Sequence, residues 1–311
     1  MTRALLFPGQ GSQAAGMGKD LAAEFPEARS VYERADAALA ALGFSVSKVS
    51  FEGSDETLKQ TAVTQPAILT HSIAVWEVLK ARGFASAVAA GHSLGEYSAL
   101  VAAGALTLED AVVLVRRRGL FMQEAVPVGQ GAMSAVLGLA AEEVAAACAE
   151  VAAASGEACA TANMNSPEQT VIAGTAGAVG KASELLLARG ARRVLSLAVS
   201  APFHCALMKP AEERLVPFLD ATTFHQMAFP VVTNVDAAPN RDPAAAREAL
   251  KRQVCSPVRW VETVTHVSRE TSEGVEVGPG AVLAGLAKRI VKAWPVRTTS
   301  DAAGVRALLA R

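Results

Sequence analysis

The clearest structural signal in the chain is Ala85-Ser86-Ala87-Val88-Ala89-Ala90-Gly91-His92-Ser93-Leu94-Gly95. Its first six residues are small or apolar and predict a buried strand, and a helical pattern follows from Glu96. A strand that turns sharply into a helix across Gly-x-Ser-x-Gly is the context of a nucleophile elbow, which projects the serine hydroxyl outward. An ordinary glycine-bounded turn, in which Ser93 only caps the helix, is the alternative.

Short apolar runs and longer amphipathic segments alternate along the rest of the chain. This alternation predicts an α/β fold with a mostly parallel sheet covered by helices. The predicted strands are 4–7, 87–90, 231–233, 275–277 and 296–299. The predicted helices are 17–42, 64–82, 94–104, 107–125, 208–220, 243–254, 258–270, 280–292 and 301–310.

The middle of the chain has a different order, β-α-β-β-α-β, which is the ferredoxin-like arrangement. Its predicted strands are 133–138, 158–163, 170–174 and 193–199, and its predicted helices are 141–154 and 177–189. We therefore expect a small ferredoxin-like domain over residues 128–200, inserted into a large α/β domain formed by 1–127 and 201–311. A site that uses residues from before and after the insert would lie in the cleft between the two domains.

Composition argues against several classes of function. Lys plus Arg is 29 and Asp plus Glu is 30, a formal net charge of −1 that does not favour a nucleic-acid binder. The four cysteines lack C-x-x-C spacing and predict neither a disulfide framework nor a metal site. Despite a mean hydropathy of +0.28, the longest smooth apolar stretch, 97–108, is short for a membrane span. The N-terminus has no signal-peptide pattern, so we expect a cytoplasmic protein.

A serine nucleophile needs a base to take its proton, and the chain has five histidines. We favour His204, which follows Ala201-Pro202-Phe203 at the point where the insert returns to the large domain. The insert accounts for most of the sequence between Ser93 and His204. The other histidines are interpreted as core, turn, loop or helix residues: His71, His92, His225 and His266.

A glycine-flanked loop, Phe7-Pro8-Gly9-Gln10-Gly11-Ser12, follows the first predicted strand. Its spacing fits neither phosphate-binding glycine pattern. Beside the elbow it could supply the backbone N–H of Gln10 to an oxyanion hole, with the N–H of Leu94 as the other donor. A simple turn that uses its glycines for positive φ fits equally well.

The run Arg116-Arg117-Arg118 lies on the helix after the elbow. At 100° per residue, Arg118 falls nearest the apolar face, Arg116 flanks it and Arg117 points away. A buried arginine requires a partner. A substrate carboxylate held bidentately and an internal Asp or Glu are both consistent with this position.

Motifs along nearly the whole chain, from residue 5 to about 290, resemble the malonyl-CoA:acyl carrier protein transacylase family of fatty-acid synthesis. They occur in the family's order: FPGQGSQ, GHSLGEY, RRGLFMQEA, NMNSP, SAPFHCALM and QVCSPVRW. The resemblance implies an α/β-hydrolase-like core and a ping-pong transfer of malonyl from malonyl-CoA to the phosphopantetheine thiol of acyl carrier protein. It implies no cofactor, and we expect a monomer.

The resemblance also implies roles for individual residues. Ser93 would be the nucleophile, His204 the general base, and the amides of Gln10 and Leu94 the oxyanion hole. Gln253 matches a position near the histidine, which this family orients with a carbonyl group rather than a carboxylate. The remaining candidates for substrate binding are Arg118, which is implied to pair with the malonyl carboxylate, Phe203, whose bulk disfavours an α-methyl group, Met122 and Asn163. Asn163 and Asn165 match the family's polar turn of the insert and Asn234 matches a position after a strand, and a structural role fits all three equally well.

Three other functions stay open at this point. A serine thioesterase or esterase of the α/β-hydrolase kind would place its histidine late in the chain, after an acid. A carrier-protein docking module would not need Ser93, His204, Gln10 and Arg118 together. A trans-acting polyketide acyltransferase would use the same chemistry with another carrier protein. Candidates for a basic carrier-docking patch are Arg189, Arg192, Arg193, Lys288, Arg289 and Lys292.

Overall fold

The computed structural model describes residues 2–199 and 201–310. A large, mostly parallel sheet has the strand order β10-β9-β1-β2-β7-β8, in which the last strand is antiparallel to its neighbour. These strands are β1 (Arg3–Phe7), β2 (Val88–Gly91), β7 (Val231–Val232), β8 (Pro239–Asn240), β9 (Glu273–Glu276) and β10 (Val296–Thr298). The predicted parallel α/β sheet is confirmed, and β8 is an antiparallel edge strand that the sequence did not indicate.

Helices cover both faces of this sheet. They are α1 (Lys19–Glu24), α2 (Pro26–Leu39), α3 (Val46–Glu52), α4 (Asp55–Lys59), α5 (Thr61–Ala81), α6 (Gly95–Ala102), α7 (Leu108–Glu124), α10 (Lys209–Ala221), α11 (Pro243–Gln253), α12 (Trp260–Glu270), α13 (Val282–Ile290) and α14 (Ala302–Leu309). None of the helices in the described ranges is both long and apolar enough to cross a membrane.

The prediction of one helix over 17–42 is wrong. The chain starts a helix at Lys19, breaks at Phe25 and begins again at Pro26. Phe25 is extended, with φ −112° and ψ 120°, because the ring of a following proline disfavours helical geometry in the preceding residue. Helices α3 and α4 were also missed, since their 7 and 5 residues are too short to show a helical period.

The second sheet is antiparallel, with the order β4-β5-β3-β6. It comprises β3 (Gly131–Leu137), β4 (Cys159–Ser166), β5 (Gln169–Thr175) and β6 (Arg193–Ser196), with α8 (Ala141–Ser155) and α9 (Ala176–Ala188) as its crossovers. In local numbering this order is 2-3-1-4, which confirms the ferredoxin-like arrangement. The boundaries at 128 and 200 stay a prediction, and Ser200 lies outside the described residues.

The two faces of the antiparallel sheet have different partners. Val136 and Ile172 belong to a separate apolar cluster with α8 and α9. Met133, Val171 and Ala173 point the other way and join the main core of the large sheet. Alternate residues of one strand face opposite sides, so each of these strands contributes to both cores.

Main-chain hydrogen bonds join β4 to Val258, in the segment that precedes α12. The Val258 amide donates to the carbonyl of Ala162 at 2.8 Å, and the Met164 amide donates to the carbonyl of Val258 at 3.0 Å. One side-chain bond continues this junction, because His92 Nε2 and Asn165 Oδ1 are 2.8 Å apart. The end of β4 is thereby held directly beside the Gly91–Gly95 turn.

Candidate active site

The Gly91–Gly95 turn adopts the conformation of a nucleophile elbow. Strand β2 ends at Gly91, helix α6 begins at Gly95, and Ser93 between them has φ 51°. This left-handed conformation costs a non-glycine residue about 1–3 kcal/mol and persists only where the surroundings enforce it. Asn234 provides part of that enforcement. Its Oδ1 accepts from the Ser93 amide at 2.7 Å, and its Nδ2 donates to the Gly91 carbonyl at 2.6 Å.

Two glycines allow the N-terminal loop to pack against the elbow. A Cβ atom on Gly95 would lie 2.0 Å from the carbonyl oxygen of Phe7, and one on Gly9 would lie 2.4 Å from that of His92. Both distances are far below van der Waals contact. The absence of these side chains therefore brings Gln10 next to Ser93.

Ser93 and His204 form a hydrogen-bonded pair. Ser93 Oγ lies 2.7 Å from His204 Nε2, and His204 Nδ1 lies 3.0 Å from the backbone carbonyl of Gln253 and 3.1 Å from that of Ser256. Carbonyl oxygens only accept, so Nδ1 carries the proton and Nε2 is free to accept from the serine hydroxyl. Burial, assisted by the positive charge of Arg118, lowers the pKa of His204 to about 3. The imidazole is therefore neutral at physiological pH, as a general base must be.

Arg118 reaches the same hydroxyl from α7 and is 1% exposed. Its Nη2 donates to Ser93 Oγ at 3.2 Å and to Gln253 Oε1 at 3.0 Å, and its Nη1 donates to Gln65 Oε1 at 2.8 Å. No Asp or Glu in the described ranges forms a salt bridge with it. Arg118 lies on the buried face of α7, as its helical phase predicts, and its partners are neutral groups rather than an internal carboxylate.

Gln253 connects the members of this group. Its backbone carbonyl accepts from His204, its side-chain oxygen accepts from Arg118, and its Nε2 donates to the Ser93 carbonyl at 3.0 Å. The same Nε2 donates to Glu96 Oε2 at 2.7 Å. Gln253 is completely buried and does not line the cavity, so it acts by positioning the residues that do.

A cavity of about 180 Å³ opens in front of Ser93, between the elbow and the antiparallel sheet. The residues predicted from sequence to be catalytic or to bind substrate line it together, except for Gln253: Gln10, Ser93, Leu94, Arg118, Met122, Asn163, Phe203 and His204. Its remaining lining includes Gln65, His92, Asn165 and apolar side chains of the insert. One side of the cavity is therefore formed by residues of the antiparallel sheet and the segment that follows it.

Gln10 and Leu94 both line this cavity, and their backbone amides are candidate donors to it. Neither donates to a backbone acceptor within the described part of the chain. The Leu94 amide is at the start of α6, where amides lack intrahelical partners and the helix dipole favours negative charge. The arrangement can accept a developing oxyanion at Ser93.

Sequence reasoning missed three contributors. Gln65 lies on α5, a helix in which nearly every residue is buried, so its polarity gave no distinct signal. The Ser256 carbonyl is a backbone group that no side-chain pattern reveals. Glu96 was part of the quoted GHSLGEY motif but received no role, although a carboxyl among apolar helix residues was a visible signal.

Glu96 is 1% exposed and lies behind the elbow. Its Oε2 accepts from the Asn234 amide at 3.0 Å as well as from Gln253. Burial raises its pKa from 4.5 to about 7, against the opposing effect of these two donors and of Arg118. This carboxyl therefore titrates near neutrality.

The chain is similar to known acyl transferases over nearly its whole length. Residues 4–306 match the acyl transferase domain family. The malonyl CoA-acyl carrier protein transacylase of Salmonella typhimurium is 46% identical over 308 residues, covering 98% of each chain. That of Bacillus subtilis is 46% identical over 299 residues, covering 96% of this chain and 93% of its own.

Solved structures show the same fold. An acyl carrier protein S-malonyltransferase from Vibrio cholerae matches with a TM-score of 0.94 and 45% identity, covering 99% of this chain and 100% of its own. A malonyl-transacylase in complex with its type II PKS acyl-carrier protein matches with a TM-score of 0.95 and 44% identity, covering 100% and 99%. The chain therefore belongs to the malonyl CoA-acyl carrier protein transacylase family of acyl transferase domains.

Proposed function

We propose that this protein transfers the malonyl group of malonyl-CoA to the phosphopantetheine thiol of acyl carrier protein, through a malonyl ester of Ser93. The observation that carries the proposal is the contact of Ser93 Oγ with both His204 Nε2, at 2.7 Å, and the buried guanidinium of Arg118, at 3.2 Å. The nucleophile and base stand beside a cation that lacks a carboxylate partner in the described chain.

In the first half-reaction, Ser93 Oγ attacks the thioester carbonyl carbon of malonyl-CoA while its proton moves to His204 Nε2. The carbonyl oxygen becomes an oxyanion that the amides of Gln10 and Leu94 stabilise. The C–S bond then breaks, and His204 returns the proton to the departing sulfur, which leaves free CoA thiol and a malonyl ester on Ser93. Arg118 binds the distal carboxylate through paired hydrogen bonds.

The second half-reaction reverses these steps with a different thiol. The carrier's phosphopantetheine sulfur loses its proton to His204 and attacks the ester carbonyl carbon. Ser93 Oγ leaves and recovers the proton from His204. Each half-reaction exchanges one acyl bond for another and needs neither an oxidant nor a metal.

The environment of His204 favours transfer over hydrolysis in this proposal. Its Nδ1 faces two neutral carbonyls, where a Ser-His-Asp hydrolase has a carboxylate that stabilises the imidazolium. A thioesterase or esterase is the less favoured function for that reason. Arg118 has no carboxylate partner within residues 2–199 and 201–310, which likewise favours an acyl group that carries its own carboxylate.

The same proposal includes where and with whom the protein acts. We place it in the cytoplasm as a monomer that needs no cofactor and no membrane or nucleic-acid partner, since one chain supplies every group in the two half-reactions. Carrier docking would use some of the basic residues that the sequence analysis named as candidates. Among the candidates, Arg289 donates to Gln169 at 3.2 Å, and Arg192 lies 3.8 Å from Glu168, so both border the β4–β5 turn of the insert.

A polyketide carrier protein is the second candidate acceptor. The observation that favours it is the 44% identity to the malonyl-transacylase solved with its type II PKS acyl-carrier protein. Rates of malonyl transfer to a fatty-acid carrier and to a type II polyketide carrier, measured side by side, distinguish the two. The chemistry at Ser93 is the same for both.

Intact mass spectrometry tests the proposal. Incubation with malonyl-CoA should add one malonyl group to the wild-type chain, and holo-acyl carrier protein should remove it and gain the same mass. Ser93→Ala should form no adduct. Ser98→Ala is the matched control, because Ser98 is fully buried on the adjoining helix and its hydroxyl forms no hydrogen bond with any residue of 2–199 or 201–310. Release of free malonate without carrier would indicate a thioesterase, and the absence of any adduct a docking module.

A further inference from the structure

The carboxyl group of Glu96 takes no part in the two half-reactions, although it is buried beside residues that contact Ser93. It lies in the first turn of α6, three positions after Ser93, and is 1% exposed. No salt bridge to it is recorded within residues 2–199 and 201–310. An unpaired buried carboxyl is costly, so its hydrogen bonds must compensate.

Glu96 accepts hydrogen bonds from two residues, Asn234 and Gln253, which in turn form hydrogen bonds with the peptide groups of Ser93. Its Oε2 accepts from the Asn234 amide at 3.0 Å and from Gln253 Nε2 at 2.7 Å. Asn234 in turn accepts from the Ser93 amide at 2.7 Å, and Gln253 Nε2 donates to the Ser93 carbonyl at 3.0 Å. Both peptide groups of the left-handed Ser93 are therefore linked to one carboxylate oxygen.

The contact with Gln253 has a directional consequence. A carboxylate has only acceptors, and Glu96 Oε2 already receives the backbone amide of Asn234, so any proton on this carboxyl group is carried by Oε1 and Oε2 remains an acceptor. The NH₂ end of the Gln253 amide must therefore face Glu96, and its oxygen must face Arg118 Nη2, 3.0 Å away. If the Gln253 amide were flipped, its NH₂ group would face the Arg118 guanidinium, and two hydrogen-bond donors would be in contact.

We propose that Glu96 is a positioning residue that fixes the orientation of the Gln253 side-chain amide, and thereby keeps Arg118 directed at Ser93. This inference rests on the proposed roles of Ser93 and Arg118. Glu96 touches neither the cavity nor a reacting atom, and it acts through Gln253. The surrounding charges are Arg118 on α7 and Asp236 after β7.

Glu96→Gln is the decisive substitution, because it keeps the size of the side chain but gives it a donor. The new amide can pair with a flipped Gln253, which would turn the Gln253 NH₂ group toward Arg118. We expect kcat/KM for malonyl-CoA to fall about 10- to 100-fold, the range of one hydrogen bond to a charged group. KM should rise, because Arg118 loses the hydrogen bond to Gln253 Oε1 that orients its guanidinium.

A double-mutant cycle separates this role from a structural one. In a Gln253→Ala background there is no amide to orient, so adding Glu96→Gln should change kcat/KM by less than about 3-fold. Glu276→Gln is the matched control. Glu276 is also fully buried and accepts two amides, those of Leu283 and Ala284, but at the start of α13 outside the cavity. Its kcat/KM should stay near that of wild type.

Equal losses from Glu96→Gln in the wild-type and Gln253→Ala backgrounds would overturn the inference, as would a kcat/KM no lower than that of Glu276→Gln. If Glu96→Gln does not fold, Glu96→Asp replaces it in the cycle. It keeps the acceptor but shortens its reach, and its loss should also vanish in the Gln253→Ala background. Malonyl-enzyme formation by wild type separates the two proposals. If wild type forms no adduct, the proposed function fails. If wild type forms a normal adduct but the losses in kcat/KM from Glu96→Gln and Gln253→Ala are additive, only the role of Glu96 is rejected.

Discussion

The guanidinium of Arg118 donates through Nη2 to the hydroxyl oxygen of Ser93, 3.2 Å away. The cation that would bind a carboxylate is thus adjacent to the atom that would be acylated. A short acyl group with its carboxylate close to its carbonyl carbon fits this separation. This relationship links the acyl specificity of the site to its chemistry.

Replacing Arg118 should distinguish malonyl from acetyl substrates. Arg118→Ala removes the paired hydrogen bonds to the distal carboxylate, so we expect kcat/KM for malonyl-CoA to fall about 100-fold, while acetyl-CoA loses about 10-fold or less. Steady-state transfer to carrier protein measures both. Arg117→Ala is the control, because Arg117 stacks on Phe218 at 3.8 Å, away from the cavity. Equal losses with the two substrates would contradict the carboxylate role.

The bulk of Phe203 should limit the size of the acyl group. Phe203 is 8% exposed and lines the cavity beside His204. Phe203→Ala opens space for an α-methyl group, so the ratio of kcat/KM for methylmalonyl-CoA to that for malonyl-CoA should rise about 10-fold, the scale of one methyl group in an apolar pocket. Competition between the two thioesters, followed by mass spectrometry of the carrier, reports this ratio. An unchanged ratio would remove Phe203 from the specificity pocket.

A side chain at Gly9 should separate the N-terminal loop from the elbow. The Cβ of Gly9→Ala would lie 2.4 Å from the His92 carbonyl oxygen, so the loop that carries Gln10 must move. We expect a loss of about 1–3 kcal/mol in the free energy of unfolding, as for other overpacking substitutions, together with reduced acylation. Gly180→Ala is the matched control, since its Cβ meets nothing within 4 Å and alanine favours the interior of α9. Wild-type stability and acylation in Gly9→Ala would refute the close contact.

Glu96 should make stability depend on pH near neutrality. Its pKa is raised from 4.5 to about 7 by burial, so the folded protein binds this proton more tightly than the unfolded chain. The stability that this group contributes is complete below about pH 4.5 and is lost as the pH rises through about 7. The free energy of unfolding of wild type minus that of Glu96→Gln should therefore decrease between about pH 5.5 and pH 8.

Urea denaturation of both proteins at several pH values measures this difference. The pKa values of His71 and His204 are lowered by burial and act in the opposite direction, but both proteins share them, so their effect cancels in the subtraction. A difference that stays constant across the range would mean that the Glu96 carboxyl does not titrate there.

The local parts of the site could be predicted from sequence. Glycine spacing around Ser93, the strand before it and the helix after it all lie within a dozen residues, where periodicity and turn chemistry are decisive. Helical phase alone placed Arg118 on the buried face. The β-α-β-β-α-β order of the insert was equally visible, because each of its elements has its own turn signals.

The missed features had weak or absent local signals. Helices α3 and α4 depend on N-cap serines, Ser45 and Ser54, and on packing rather than on a repeated apolar face. The break at Phe25 needed one proline to override a continuous helical pattern. In both cases one or two residues, a proline or an N-cap serine, determined the local structure more strongly than the hydrophobic periodicity did.

Local sequence patterns specify which chemistry is available here: a serine on a glycine-bounded turn, a histidine at the return of an insert and an arginine on an inward helix face. The connections between these groups depend on the tertiary fold. Gln253 meets Glu96 across 157 positions and Arg118 across 135, and the Ser256 carbonyl meets His204 across 52. Such contacts depend on how the sheet and the insert pack together. A buried carboxyl, amide or carbonyl acquires its partner from that packing, and no local pattern in the chain encodes it.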